Sequence, residues 1–280
     1  MQLSKRSQKL WQRLIVYLLL IVGAIVFMIP FLWMLSSSFK ELSQIFIYPP
    51  RWIPNPVRLD NYAKALSRMN FFVALKNTLT ITVLCMFGQL LSASLVAYGF
   101  ARLRFSGRDF LFMLVLSTMM LPPQVTMIPV FIIFRYLGWV DTFKPLIIPA
   151  FFGGGAFSIF LLRQFFLTIP KDLEDAARID GCGRFRIFYQ IILPLAKPAL
   201  ITVSIFSFMS HWNDFMGPLI YLNSEHKRTL AIALQSFQGQ YTAEWNLLMA
   251  ASIVVLIPVL IIFFTLQQYF VEGIVLTGLK

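Results

Sequence analysis

Long apolar runs separated by short polar links dominate the chain. A helix needs about 20 mostly apolar residues to cross the hydrocarbon of a bilayer. Six segments match that demand, at about 14–36, 77–101, 110–134, 145–162, 199–222 and 245–271. The pattern predicts an all-α polytopic protein with six transmembrane helices in one domain, 1–280. The links are a basic N-terminus at 1–13, outer loops at 37–76 and 223–244, and a long inner segment at 163–197. Prolines and glycines interrupt the runs: Pro122-Pro123 and Pro129 in the third, Pro149 and Gly153-Gly154-Gly155 in the fourth, Gly217-Pro218 in the fifth and Pro258 in the sixth. Each proline removes an intrahelical hydrogen bond. In lipid that is tolerated only where protein or a water-filled cavity satisfies the freed backbone. The breaks fit a water-lined pathway, and equally the general enrichment of proline in membrane helices.

Composition agrees with the spans. Hydrophobic residues make up 58% and charged residues 13%, with a mean hydropathy of +0.74. Soluble domains carry about 25% charged residues, so a soluble monomer is excluded, and the wealth of aromatic and branched side chains excludes disorder. Two cysteines, Cys85 and Cys182, make neither a disulfide framework nor a zinc site. Two histidines are too few for a relay. The net charge of +12 reads as loop cations that anchor spans rather than as a nucleic-acid surface.

Lys and Arg placement gives an orientation. Lys5, Arg6, Lys9 and Arg13 lie at the N-terminus, Arg102, Arg104 and Arg108 between spans two and three, and Arg163, Lys171, Arg178, Arg184, Arg186 and Lys197 between spans four and five. These belong on the cytoplasmic side, with both termini. The first outer loop nevertheless holds Lys40, Arg51, Arg58, Lys64, Arg68 and Lys76. The first apolar run is longer than the core of a signal peptide and lacks a small-residue cleavage site, so it is expected to remain as a helix.

Titratable groups are nearly missing from the spans. His211 and Asp214 are the exceptions, with Trp212 and Asn213 between them. A ring beside amide and carboxylate groups suits a sugar, and ionisable groups at membrane depth are usually functional. The same four residues also suit an interfacial belt.

The most informative stretch runs from Ile169 to Pro194. Pro170 suits a helix start, and Asp172 with Asp175 resembles a capping arrangement. Leu173, Ala176 and Ala177 form a small apolar stripe, Gly181 and Gly183 permit a turn, and Phe185, Phe188, Ile191 and Ile192 give a second helix that stops near Pro194. Small alanines flanked by charges suit docking on a protein partner better than on an anionic bilayer, because the stripe is narrow and the acids many.

This stretch resembles the EAA motif of the permease subunits of ABC importers: Glu-Ala-Ala, three residues, Gly, nine residues, Ile, one residue, Leu-Pro. Here the series is Asp175-Ala176-Ala177, Gly181, Ile191 and Leu193-Pro194 at the same spacing, with Asp in place of Glu. The similarity extends to the carbohydrate-importing, maltose-type branch through Leu59-Asp60-Asn61-Tyr62, Asn77-Thr78-Leu79, Ala97-Tyr98-Gly99-Phe100-Ala101-Arg102, Ile128-Pro129, Trp212-Asn213-Asp214-Phe215 and the tail from Gly273. The resemblance implies a MetI-like permease fold in a bacterial inner membrane. It implies docking of an ATP-hydrolysing subunit on Glu174, Asp175, Ala176, Ala177, Asp180 and Gly181. It also implies a second permease, giving a heterodimer by preference, and an extracytoplasmic solute-binding protein touched by the last outer loop at Gln238, Gln240 and Tyr241. The chain lacks a Gly-x-x-x-x-Gly-Lys-Ser/Thr pattern, so it is expected to hold no cofactor and to be no enzyme, with ATP and Mg bound by the partner. The competing readings are another cargo in the same class, such as glycerol phosphate or a polyol, and a secondary transporter. The latter predicts internal repeats and several carboxylates within the spans, against the single Asp214 here.

Overall fold

The computed structural model describes the backbone of residues 5–239 and 243–278, and the side chains of 9–268 apart from 10 and 240–242. Fourteen α-helices appear among the described residues: α1 (Lys5–Ser38), α2 (Asp60–Arg68), α3 (Phe71–Arg102), α4 (Arg108–Ser117), α5 (Pro123–Tyr136), α6 (Lys144–Ile147), α7 (Ala156–Thr168), α8 (Asp172–Ile179), α9 (Arg184–Ile187), α10 (Leu193–Leu195), α11 (Lys197–Trp212), α12 (Met216–Tyr221), α13 (Leu230–Gln235) and α14 (Trp245–Gly278). The single β feature among them is an isolated bridge between Gln238 and Ala243.

Four helical stretches are long and apolar enough to cross a membrane: Trp11–Ser38, Phe71–Arg102, Lys144–Thr168 and Trp245–Gln268. Two more candidates are bent pairs, Arg108–Met120 with Pro123–Tyr136 at 99° and Arg184–Leu195 with Lys197–Trp212 at 78°. The third expected span is thus sharply broken at Pro122, whose ring forces Leu121 into extended backbone (φ −81°, ψ 119°). The fifth span, expected to reach 222, ends instead at Trp212, and α12 begins a separate short helix at Met216. Its other end reaches further back than expected. The stretch 184–195 continues through a π-helical turn at Phe188–Ile192 and bends into α11 around Ala196, so the motif's Leu193-Pro194 lies inside the bent pair.

The chain divides into two units, Met1–Met69 with Leu234–Leu256, and Asn70–Ala233 with Ile257–Lys280. In the first, α1 leaves its apolar side chains exposed, as a lipid-facing span does. The segment after it folds on itself. The Lys40 ammonium sits 3.8 Å from the centre of the Trp33 ring, which meets Trp52 edge-on at 5.2 Å. The Asn61 amide donates to the carbonyls of Ser38 and Lys40 at 2.9 and 2.8 Å and accepts from Asn246 at 3.2 Å. Arg68 pairs with Glu244.

In the second unit α3 is the central element. Its small residues let other backbone come close, the general device of membrane helix packing. The break before α7 is the clearest case. Gly154 has φ +60°, and a Cβ built there lies 2.5–2.7 Å from the N, Cβ and Cα of Ala93. One turn away Gly88 makes room for the Phe151 ring, and Ser92 donates to Ala150 O at 2.8 Å. Around Ala93 and Ala97 the core gathers Tyr98, Phe100, Phe112, Leu162, Phe166, Ile187, Phe188 and Ile192. Ile191 and Leu193 pack at its margin.

Candidate functional site

Helix α8 carries the motif. Its N-cap is Lys171 and no side chain caps it. The expected capping by Asp172 fails because the helix starts at Asp172 itself. Asp172, Glu174 and Asp175 instead place negative charge on the positive end of the helix dipole. Gly181 ends the helix at φ +79°, the left-handed position that suits glycine. Gly183 lies at an ordinary φ of −71°.

The two faces of α8 differ. Glu174 and Ala177, three residues apart, are buried at 3% and 6% exposure. The Glu174 carboxylate lies 3.0 Å from Arg102 Nε and 3.6 Å from Arg178. Of the expected docking residues, Glu174 and Ala177 are thus turned inward and hold the helix to its own protein rather than lying on its exposed face. The apolar stripe is split accordingly: Ala177 faces the core, whereas Leu173, Ala176 and Ile179 form an exposed row, with Ile179 at 87% exposure. Asp175, Asp180 and Gly181 flank that row in the open, and Asp175 bonds Arg178 at 3.2 Å. The Asp175-for-Glu difference thus falls on the outward carboxylate. A cavity of about 620 Å³ opens beside α8, with Arg102, Arg104, Lys171, Asp175, Arg178 and Arg184 in its wall.

The far end of α3 is tied to other loops. Asn77 donates to the carbonyls of His226 and Arg228 at 2.9 and 3.0 Å, and Leu230 N donates to Thr78 at 2.9 Å. From Asn77 to Arg102 is about 37 Å of helix at 1.5 Å per residue, enough to separate two membrane faces. Near the same loops Asp141, at φ +59°, accepts bonds from the backbone N of Asn223 and Ser224 at 3.0 Å each and from Lys227 Nζ at 2.9 Å. Bonds from the Ser224 hydroxyl and amide, then from Lys227, hold its carboxyl well below the usual carboxylate range. Sequence reasoning missed this clip, because an isolated loop aspartate carries no pattern.

The four span-five candidates end a helix rather than line one site. Trp212 is buried and stacks on Phe208 at 5.2 Å. Asn213 donates to Met209 O at 2.8 Å, and Asp214 accepts from Gly217 N at 3.1 Å. His211 Nε2 lies 3.3 Å from Gln89 Oε1, which also accepts from Ser207 at 2.7 Å, while Gln89 Nε2 donates to Ser158 at 2.8 Å. Gln89 therefore knots α3, α7 and α11 at mid-helix. The sequence signal was an amide within an otherwise apolar run.

Gln238 is exposed, while Gln240 and Tyr241 lie outside the described residues. Among the described residues there is no group of His, Cys, Asp and Glu arranged to hold a metal.

A multi-span helical protein with a short, outwardly apolar helix hung between two spans is the architecture of a transport permease. Residues 89–275 match the family described as the inner membrane component of binding-protein-dependent transport systems, and the chain belongs to that family. It is 36% identical to a probable ABC transporter permease of Pyrococcus horikoshii, over 90% of this chain and 92% of that one. It is 34% identical to the arabinooligosaccharide transport permease AraQ of Bacillus subtilis, over 96% of each. Among solved structures, a chain of a bacterial ABC transporter involved in import of the acidic polysaccharide alginate superposes with a TM-score of 0.83 at 25% identity. That match covers 96% of this chain and all of that one. The chain is a multi-pass membrane permease and not itself an enzyme.

Proposed function

We propose that this chain is one of two permeases, in a heterodimer by preference, of an ATP-driven, binding-protein-dependent importer of sugars. The observation that carries the reading is the outer face of α8. Leu173, Ala176 and Ile179 expose an apolar row rimmed by Asp175 and Asp180, while Glu174 and Ala177 hold the opposite face to the protein. An exposed Ile on a rigid, backed helix is a knob for a partner's cleft. That partner is an ATPase subunit, which holds the ATP and Mg. The arginines and Lys171 in the wall of the neighbouring cavity suit acidic residues at the partner's rim. A sugar cargo is supported by the relative named for arabinooligosaccharides and the structural neighbour named for alginate. Glycerol phosphate or another polyol is the second cargo class.

On this reading α8 lies on the cytoplasmic side of the bacterial inner membrane, with both termini. Contact with the solute-binding protein is assigned to the last outer loop, at Gln238, Gln240 and Tyr241. ATP binding draws the α8 helices of the two permeases together and shifts the population from inward-open to outward-open states, after which the binding protein releases sugar into the cavity. Of the four pathway candidates, Asn213 alone has an exposed side chain, and cargo contact is assigned to it and to half-exposed His211 and Asp214.

The test is affinity purification of the tagged chain in mild detergent, with mass spectrometry of what accompanies it. An ATPase and a second multi-span protein are expected, and Ile179→Asp is expected to lose the ATPase at least tenfold while the chain still inserts. A chain that purifies alone and transports in liposomes without ATP overturns the proposal.

A further inference from the structure

Between α7 and α8 the chain has three residues, Ile169, Pro170 and Lys171. Ile169 is extended (φ −70°, ψ 129°) and Pro170 has no amide to donate. Two backbone bonds beside the break stay on their own sides, Ile169 N to Phe166 O at 3.3 Å and Glu174 N to Lys171 O at 2.9 Å. A joint of this kind is a hinge unless something bridges it.

Arg102, the last residue of α3, bridges it. Its Nη2 donates to the carbonyls of Phe166 and Ile169 at the end of α7, where helix carbonyls lack the partner of the next turn. Its Nε lies 3.0 Å from Glu174 Oε1 on the first turn of α8. The two side chains are 2% and 4% exposed, and at that burial a charge pair is held in one geometry and is costly to break. One planar guanidinium thus grips both sides of the joint from a third helix, which a point-charge ammonium reproduces poorly. A separate bond from α3, Tyr98 OH to Arg184 O at 3.3 Å, holds the start of α9 beyond α8.

Resting on the importer reading above, we infer that Arg102 is a positioning residue for energy coupling: it locks α7 and α8 into one lever with α3. A push on the outer face of α8 then turns α3 directly, and α3 carries it to mid-membrane, where Gln89 is bonded to Ser158 of α7 and to Ser207 and His211 of α11. Without Arg102 the push bends the joint at Ile169–Lys171 and is lost there.

The experiment uses the whole importer in proteoliposomes with its binding protein. Substrate transported per ATP hydrolysed is measured on assembled complexes, so that mere loss of folded protein does not change the reading. Arg102→Gln and Glu174→Gln are each expected to lower that ratio at least fivefold while ATP hydrolysis continues, and Arg102→Lys to lower it between twofold and fivefold. Arg108→Gln, on the same link but outside the wall of the cavity beside α8 and paired with its neighbour Asp109, is expected to leave it unchanged. A ratio within twofold of the unmodified value in Arg102→Gln overturns the inference. If that variant does not accumulate, Glu174→Gln decides by the same criterion, and failing that Arg102→Lys. Failure of the importer reading itself is distinct, since the unmodified protein would then neither bind an ATPase nor transport with ATP.

Discussion

Gly154→Ala tests how tightly the break in the fourth span is seated on α3. Two costs add. Gly154 sits at φ +60°, in the left-handed region, which costs an L residue about 1–2 kcal/mol. The new methyl also lands 2.5 Å from Ala93 N, 2.6 Å from its Cβ and 2.7 Å from its Cα. Ala93 is fully buried in the middle of α3, so the relief must come from backbone, and overpacking of this kind costs about 1–3 kcal/mol. The sum is about 2–5 kcal/mol, a large part of the stability of an ordinary domain, about 5–15 kcal/mol. At about 2–4 °C per kcal/mol for chains approaching this size, the melting temperature should fall by roughly 10 °C. Gly107→Ala is the matched control: its φ is +78° and nothing lies within 4 Å of the added Cβ, so it carries the strain alone, about 1–2 kcal/mol. The assay is thermal unfolding of the detergent-solubilised proteins, followed by the folded fraction on size exclusion. Equal melting temperatures for the two variants would refute the claim that the 153–155 break is pressed against α3.

Gln89→Leu removes three interhelical bonds at once, to Ser158, Ser207 and His211. At an average of about 0.6 kcal/mol for such bonds in a bilayer, it should cost about 2 kcal/mol, and a double-mutant cycle with Ser207→Ala should show coupling; strict additivity would remove Gln89 from the knot. Asp141→Asn should release the loop at Asn223–Ser224, read as faster amide hydrogen exchange there, and unchanged protection would count against the clip. Because the Asp141 carboxyl is held below its usual range, its contribution is fully present above the unfolded carboxylate value of about 3.9. It is lost only as pH falls through the lower folded value, so unmodified protein should keep this protection from pH 7 down to about pH 4.

What the sequence revealed and what it hid divide along one physical line. Spans and motif spacing are one-dimensional patterns, set by bilayer thickness and helix pitch, so the four stretches long enough to cross, the placement of α8 and the turn at Gly181 were legible from composition and spacing alone. The direction each residue faces is set by groups remote in sequence. Glu174 and Asp175 are neighbours of equal charge, about 100° apart around a helix, and nothing local distinguishes them. Arg102 does, by drawing Glu174 inward at 3.0 Å and leaving Asp175 outward. The same rotation takes Ala177 out of the expected apolar row and puts Ile179 into it. His211 through Asp214 looked like a cluster because they are consecutive, but a helix that ends at Trp212 sends them different ways, and the bond that matters to His211 comes from Gln89 on another helix. In the sequence Arg102 is one of the cations that fix orientation and the last residue of a stretch shared with the carbohydrate-importing branch. Its position at the end of α3, beside the last carbonyls of α7, is what turns a loop charge into the residue that decides which face of α8 is presented.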